Sequence, residues 1–318
     1  MAKKKSNNFI EVFSIFFSSI KTYFLYLDQC FKYLAFPILG QVIGAMLILA
    51  CTYYFITNEA SIRSLAPFLE PDKNYLILMG IVLLPFLIIF TKAIYDYVIA
   101  FSALNILFYT VSNKKKVKDI DFNANKGVIQ RRLFKYIILM LILTIILFVP
   151  PLIFVAPIAW IFLCLSFQVF ALEPDVSAAG ALSRSVELVK GNVIPTIILL
   201  LLCFTTTYMF FPAVFIWAAD KISVTSCLAR TFEQYINLMP IEELNTLLSQ
   251  FNFSIDSIML SQEAAKIVIS TLVIGFTLPF RNCCFTNLYR TYDSGKIKDY
   301  SKESEEIIQR ATNKKRKN

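Results

Sequence analysis

Six stretches of this chain hold close to 20 consecutive residues with almost no charge. A run of that kind has one stable setting, a helix across ~30 Å of hydrocarbon that satisfies every backbone N–H and C=O within itself. The runs are Tyr33 to Ile56, Tyr75 to Tyr95, Leu133 to Val149, Leu152 to Leu172, Val193 to Ala219 and Ile267 to Thr286. The composition agrees: 57% of the 318 residues are hydrophobic and 17% charged, and mean hydropathy is +0.63, well outside the range of soluble domains. The expected fold is all-α, a polytopic membrane helix bundle of about six transmembrane helices with amphipathic helices at the interface.

Two runs require arbitration. Leu133 to Leu172 would make one helix of about 60 Å, too long for a single crossing, and Pro150-Pro151 lies near its middle. Two spans joined by a tight turn fit better. The second run continues to Ser112, but its latter half carries Lys92, Asp96 and Asn105. One span with a cytosolic helical extension accounts for it without moving the following lysine cluster to the other side.

Charge orients the spans. Met1 to Lys32 carries +3, Asn113 to Lys135 +6 and Arg281 to Asn318 +5, whereas Thr57 to Asn74 carries −1 and Asp220 to Lys266 −3. Every strongly basic segment falls on one side, so the positive-inside rule places both termini in the cytosol of a cell or inner membrane. Tyr53, Tyr54, Tyr75 and Trp217 then sit at outer ends, and Tyr33, Tyr95, Tyr136 and Tyr289 at inner ends, as an aromatic belt requires. A cleaved secretory signal is not expected, because Glu11, Lys21, Asp28 and Lys32 interrupt the first apolar stretch. The chain divides into a cytosolic N-terminus with an interfacial helix (1–32), a six-span membrane domain (33–288) with an outer helical cap (220–266), and a basic cytosolic tail (289–318).

Between the spans, Phe9, Phe13, Phe16, Ile20, Phe24, Leu27 and Phe31 recur at helical spacing, with Glu11, Ser14, Ser18, Lys21 and Asp28 opposite. This segment either lies in the cytosolic interface or packs on its neighbours as an extension of the first span. A second cytosolic helix is expected from Ser177 to Lys190, with Asp175 or Ser177 as N-cap, Gly191 at the stop and Asn192 capping the next helix. With Asp121 to Arg132, each inward-to-outward span has an amphipathic stretch before it, a pattern of three parallel repeats. In the outer segment, Pro240 to Phe251 has the spacing of a small helix covering the bundle.

Histidine is absent, which removes imidazole-based catalysis and histidine-ligated zinc. The seven cysteines form no CxxC pair, and neither a metal nor a cofactor is expected. Gly40 and Gly44 form a GxxxG helix-packing face, used within the chain or at a homodimer seam. Gln41, Gln168 and Thr205 to Thr207 are polar groups inside spans; the threonines can bond to their own preceding turn, while the glutamines need partners. Arg281 lies about 9 Å inside the last span by helical rise, and Asp96 sits at comparable depth, so an intramembrane ion pair between them is expected. The lysine-rich tail favours acidic lipids over nucleic acid, for which it has no base-reading scaffold.

The run Ala181-Leu182-Ser183-Arg184-Ser185, continuing through Val186-Glu187-Leu188-Val189-Lys190-Gly191-Asn192, resembles the A-L-x-R-S-x-x-L-x-K-G-x signature of the membrane domain associated with glycerophosphoryl diester phosphodiesterases and of related bacterial six-helix membrane proteins. Glu173-Pro174-Asp175, Pro279 and Leu288-Tyr289-Arg290 are similar to further parts of that pattern. The resemblance implies a helical membrane module, sometimes fused to a hydrolytic barrel. No stretch outside the spans has the length of a barrel, so the phosphodiesterase activity is not carried over. In the motif, Ala181, Leu182, Ser185 and Val189 are expected to dock on the bundle, leaving Arg184 and Lys190 toward lipid headgroups.

These readings point to a non-catalytic integral membrane protein, lipid-handling or envelope-organising, whose partners are membrane lipids with acidic headgroups. The alternative is a small-solute transporter or channel, for which a pocket lined by Gln41, Gln168, Tyr208 and Arg281 would speak. A membrane-embedded enzyme would need clustered carboxylates, and only Glu173, Asp175 and Asp96 approach that.

Overall fold

The structure is a computed structural model that describes residues 8–65, 68, 72–113, 121–148, 154–239, 241–249 and 254–293. The Pro150-Pro151 turn, the lysines of 114–118, Asn252 and the tail beyond Asp293 lie outside the described residues. The described residues are mostly helical and contain no strand: α1 (Asn8–Leu25), α2 (Leu27–Thr57), α3 (Glu59–Leu65), α4 (Asp72–Asn113), α5 (Phe122–Arg131), α6 (Leu133–Phe148), α7 (Ala156–Leu163), α8 (Ser166–Leu172), α9 (Ala178–Lys190), α10 (Val193–Phe204), α11 (Phe211–Lys221), α12 (Val224–Ile236), α13 (Ile241–Leu248) and α14 (Ser257–Tyr292). Four helices among them are long and apolar enough to cross a membrane: Leu27–Thr57, Asp72–Asn113, Val193–Lys221 and Ser257–Tyr292.

The apolar runs set these helices, and local chemistry sets several of their ends. Asp121 caps α5 by accepting from the backbone N–H of Asn123 and Ala124, and Ser177 caps α9 by accepting from Gly180. Gly191 ends α9 at φ −92, so the positive φ that glycine permits is not used there. Asn192 occupies the cap position of α10 but makes no side-chain cap bond; its amide reaches back to the Leu188 carbonyl at 3.2 Å. A π-helical segment, Thr205–Phe210, joins α10 to α11. Within it, Thr207 is buried and its hydroxyl has no hydrogen-bond partner among the described residues, contrary to the expectation that it would bond to its own preceding turn.

Two compact units are distinguished. The first comprises the described residues of 1–34, 97–205 and 278–318. In it α1 lies against α10 and against the end of α14. Phe16 meets Phe280 edge-on at 5.4 Å between ring centroids, and Asn287 donates to the Ser19 hydroxyl at 2.9 Å. The face of α1 that is buried is Val12, Ile15, Phe16, Ser19 and Tyr23. Phe13, Phe24, Leu27 and Phe31, expected on its apolar face, are exposed.

Tyr33 meets Phe122 edge-on and accepts from Asn125, tying the start of α2 to α5. Arg132, at the α5–α6 junction, donates to the carbonyls of Phe170 and Val176 at 2.5 and 2.8 Å and lies over the Phe170 ring. α6 packs on α7, and α9 packs on α6, α7 and α8.

The second unit comprises the described residues of 35–96 and 206–277. Here α2 and α4 approach closely at Gly40 and Gly44. A Cβ added at Gly40 would stand 2.9 Å from the Ala93 Cβ, and one at Gly44 3.0 Å from the Phe90 Cα. The glycine face is therefore used within the chain. Beside it Gln41 donates to the Ala93 carbonyl at 3.5 Å, a long bond. Between residues 220 and 266 the described residues hold two helices, α12 and α13, where the spacing indicated one.

Candidate functional site

The signature-like run forms α9, and its inward side chains act on the break between α7 and α8. The first N–H groups of a helix have no partner within it. At α8 the Leu165 N–H is satisfied by the Ser185 hydroxyl at 3.2 Å, which in turn donates to the Phe162 carbonyl at 2.7 Å. Ala178, Ala181, Ser185, Leu188 and Val189 are buried, and Leu182 is half-buried.

Arg184 does not point to the outside of the unit. Its Nη2 lies 2.5 Å from Asp293 Oδ1, its Nη1 3.2 Å from Glu187 Oε2, and its Nε 3.7 Å from Glu173 Oε1. Tyr289 donates its hydroxyl to the same Glu173 oxygen at 2.7 Å. Asp293 is 3% exposed in its side chain and Arg184 25%. Burial disfavours the Arg184 cation, but the bond to Glu187 and the charges of Asp293 and Glu173 outweigh it and raise its pKa above the usual value. One guanidinium thus pins the middle of α9 to the ends of α8 and α14. Three carboxylates thus surround Arg184, expected to face headgroups: Glu187 one turn on, Glu173 just before α9, and Asp293 brought from 109 positions away.

Lys190 is exposed at the end of α9. It borders a shallow groove of about 460 Å³ whose other walls are Ala159, Phe162 and Leu163 of α7 and Val186 of α9, all apolar.

A cavity of about 220 Å³ lies in the same unit, between α4, α6, α7, α8 and α14. Leu143, Leu147, Trp160 and Phe167 are among its apolar walls, and Thr144, Gln168, Arg281 and Asn282 bring polar groups to it. Asn282 donates to the Phe101 carbonyl at 2.9 Å. Gln168 is 2% exposed; its amide N–H points to Asn105 Oδ1 at 3.4 Å, and its carbonyl oxygen has no hydrogen-bond partner among the described residues. Thr286 donates to the same Asn105 oxygen.

Of the four residues expected around a transport pocket, Gln168 and Arg281 share this cavity, whereas Gln41 and Tyr208 belong to the second unit. Sequence reasoning missed Ser102, Asn105, Asn282 and Asn287, which are buried with Gln168 and Thr286 in the first unit. The signal was present in the spacing: 102 and 105, and 282 and 286, fall on single helix faces.

Asp96 has a partner on its own helix, Lys92 Nζ at 2.5 Å. The seven cysteines are free, five of them buried, and no group of three or more carboxylate or thiol side chains among the described residues is arranged to hold a metal. Comparisons of the chain with models of known protein families, with curated proteins and with solved structures found no match.

Proposed function

We propose that this chain is a non-catalytic, multi-pass protein of the cell or inner membrane, with both termini cytosolic, that holds lipids with acidic headgroups at its inner face. The observation that carries the reading is the α7–α9 groove. Its apolar walls match a hydrocarbon chain, and the exposed Lys190 at its end matches a headgroup phosphate. The exposed phenylalanines of α1, Phe13, Phe17 and Phe24, support the same placement at the acyl boundary.

In this reading α6 and the α7–α8 pair are the third and fourth of six crossings. The apolar helices Leu133–Leu147 and Ala156–Leu172 measure only about 22 and 26 Å by helical rise. A pair this short spans a thinned bilayer or turns back within it. Either arrangement preserves an even number of crossings and leaves the termini on one side.

Lipid analysis of protein purified from native membranes tests the proposal. Anionic lipids should be enriched over the bulk membrane, and Lys190→Gln should reduce that enrichment. Bound lipid of bulk composition in both proteins contradicts it. A second reading, small-solute transport, is favoured by the meeting of Gln168 and Arg281 at one cavity, and a flux assay in proteoliposomes tests it directly.

A further inference from the structure

A shallow groove of about 540 Å³ runs along α4 in the second unit, lined by Leu84, Leu87, Ile88, Thr91, Lys92 and Tyr95. It shares no residue with the Lys190 groove. Leu84, Leu87 and Ile88 are exposed along the half of the span that ends at Tyr95, where hydrocarbon is the surrounding medium. One turn further on the chemistry changes. Lys92 Nζ lies 2.6 and 2.5 Å from the two carboxylate oxygens of Asp96 and 5.3 Å from the centre of the Tyr95 ring.

This ion pair is open to a ligand, its side chains being 62% and 36% exposed. An ammonium carries three donors and a carboxylate about four lone-pair sites, and neither side chain has another ion-pair partner among the described residues. A lysine that precedes its acidic partner by four residues is also the less favourable order on a helix, so helix stability is a weak reason for the pair. From the span outward, α4 thus presents an apolar face, then a cation, then an anion about 6 Å beyond it by helical rise. Phosphatidylethanolamine presents the complementary series in the same order: hydrocarbon, phosphate, and a primary ammonium two carbons further on.

We propose that this face of α4 binds a zwitterionic aminophospholipid of the phosphatidylethanolamine class. A chain lies on Leu84, Leu87 and Ile88, the phosphate accepts from Lys92, and the ammonium donates to Asp96. A choline headgroup has no N–H to donate, and an anionic lipid lacking the ammonium is repelled by Asp96. The Lys190 groove, which has no carboxylate among its lining residues, offers no such discrimination. The proposal goes beyond the anionic-lipid reading and does not depend on it.

Native mass spectrometry of the full-length protein, released from nanodiscs of equal phosphatidylethanolamine and phosphatidylcholine, reads which headgroup is retained. Phosphatidylethanolamine should be retained over phosphatidylcholine by about five-fold, the scale of one exposed charge pair. Asp96→Asn should bring the ratio within about two-fold. So should the exchange of Lys92→Asp with Asp96→Lys, which keeps an ion pair on α4 but reverses the order of its charges. Lys190→Gln should leave the ratio unchanged, whatever it does to anionic lipid.

Equal retention of the two lipids by the unaltered protein overturns the proposal, as does a preference that survives both Asp96→Asn and the exchange. A ratio that falls with Lys190→Gln as far as with Asp96→Asn overturns the placement on α4.

Discussion

A carboxylate as buried as Asp293 must be neutralised by a partner, and Arg184 supplies the charge with a 2.5 Å contact. Removing the guanidinium leaves Asp293 and Glu173 facing each other without compensation. Breaking a buried pair costs about 3–5 kcal/mol, and the quarter of Arg184 that remains exposed brings the expectation for Arg184→Ala nearer 2 kcal/mol. Thermal unfolding in detergent should show the loss, and Arg184→Lys should recover part of it; an unchanged midpoint for Arg184→Ala would mean the pin bears no load. Ser185→Ala should cost about 1–2 kcal/mol in the same assay, because it strands the buried Leu165 N–H. Neither role was readable from the chain itself. The sequence displays Arg184 on a short polar helix beside a membrane, where a headgroup is the economical partner, and nothing local announces that Asp293 arrives from 109 positions away.

The GxxxG spacing of α2 was legible, since two bare backbone patches on one face invite a helix. Which helix answers was not, because Ala93 and Phe90 on α4 show no matching pattern of their own. The close approach makes a concrete expectation. Gly44→Val places a branched side chain where even a Cβ would lie 3.0 Å from the Phe90 backbone, and should cost about 1–3 kcal/mol. Gly80→Ala, with nothing within 4 Å, should cost nothing measurable in the same unfolding experiment.

The cap of α9 was also visible in sequence, where Asp175 and Ser177 precede a periodic run and Ser177 is the one used. α1 was half legible: its helical spacing was plain, but the buried stripe is Val12, Ile15, Phe16, Ser19 and Tyr23, about one position round from the stripe of Phe13, Phe16, Ile20 and Phe24 that the spacing singled out. α12 escaped notice because the outer segment was read through its single clear leucine-rich period.

At the scale of the whole chain, the long apolar runs and the sidedness of the basic segments are the strongest signals: they point to an all-helical protein with six spans, and among the described residues four helices are long and apolar enough to cross a membrane, the runs at Leu133–Leu147 and Ala156–Leu172 being shorter. The polar residues gathered in the first unit were the weakest, since Asn105, Gln168 and Asn282 stand far apart in sequence and each looks like an isolated exception within an apolar run. Orientation is where the account is most exposed. Cys227 is exposed on α12 and Asn123 on α5, and the account places them on opposite sides of the bilayer. A membrane-impermeant thiol reagent applied to intact cells should label native Cys227, and should label Asn123→Cys, made in a protein with Cys227 replaced by Ser, only after permeabilisation. Labelling of Asn123→Cys in intact cells with Cys227 spared would contradict the placement of the basic segments in the cytosol.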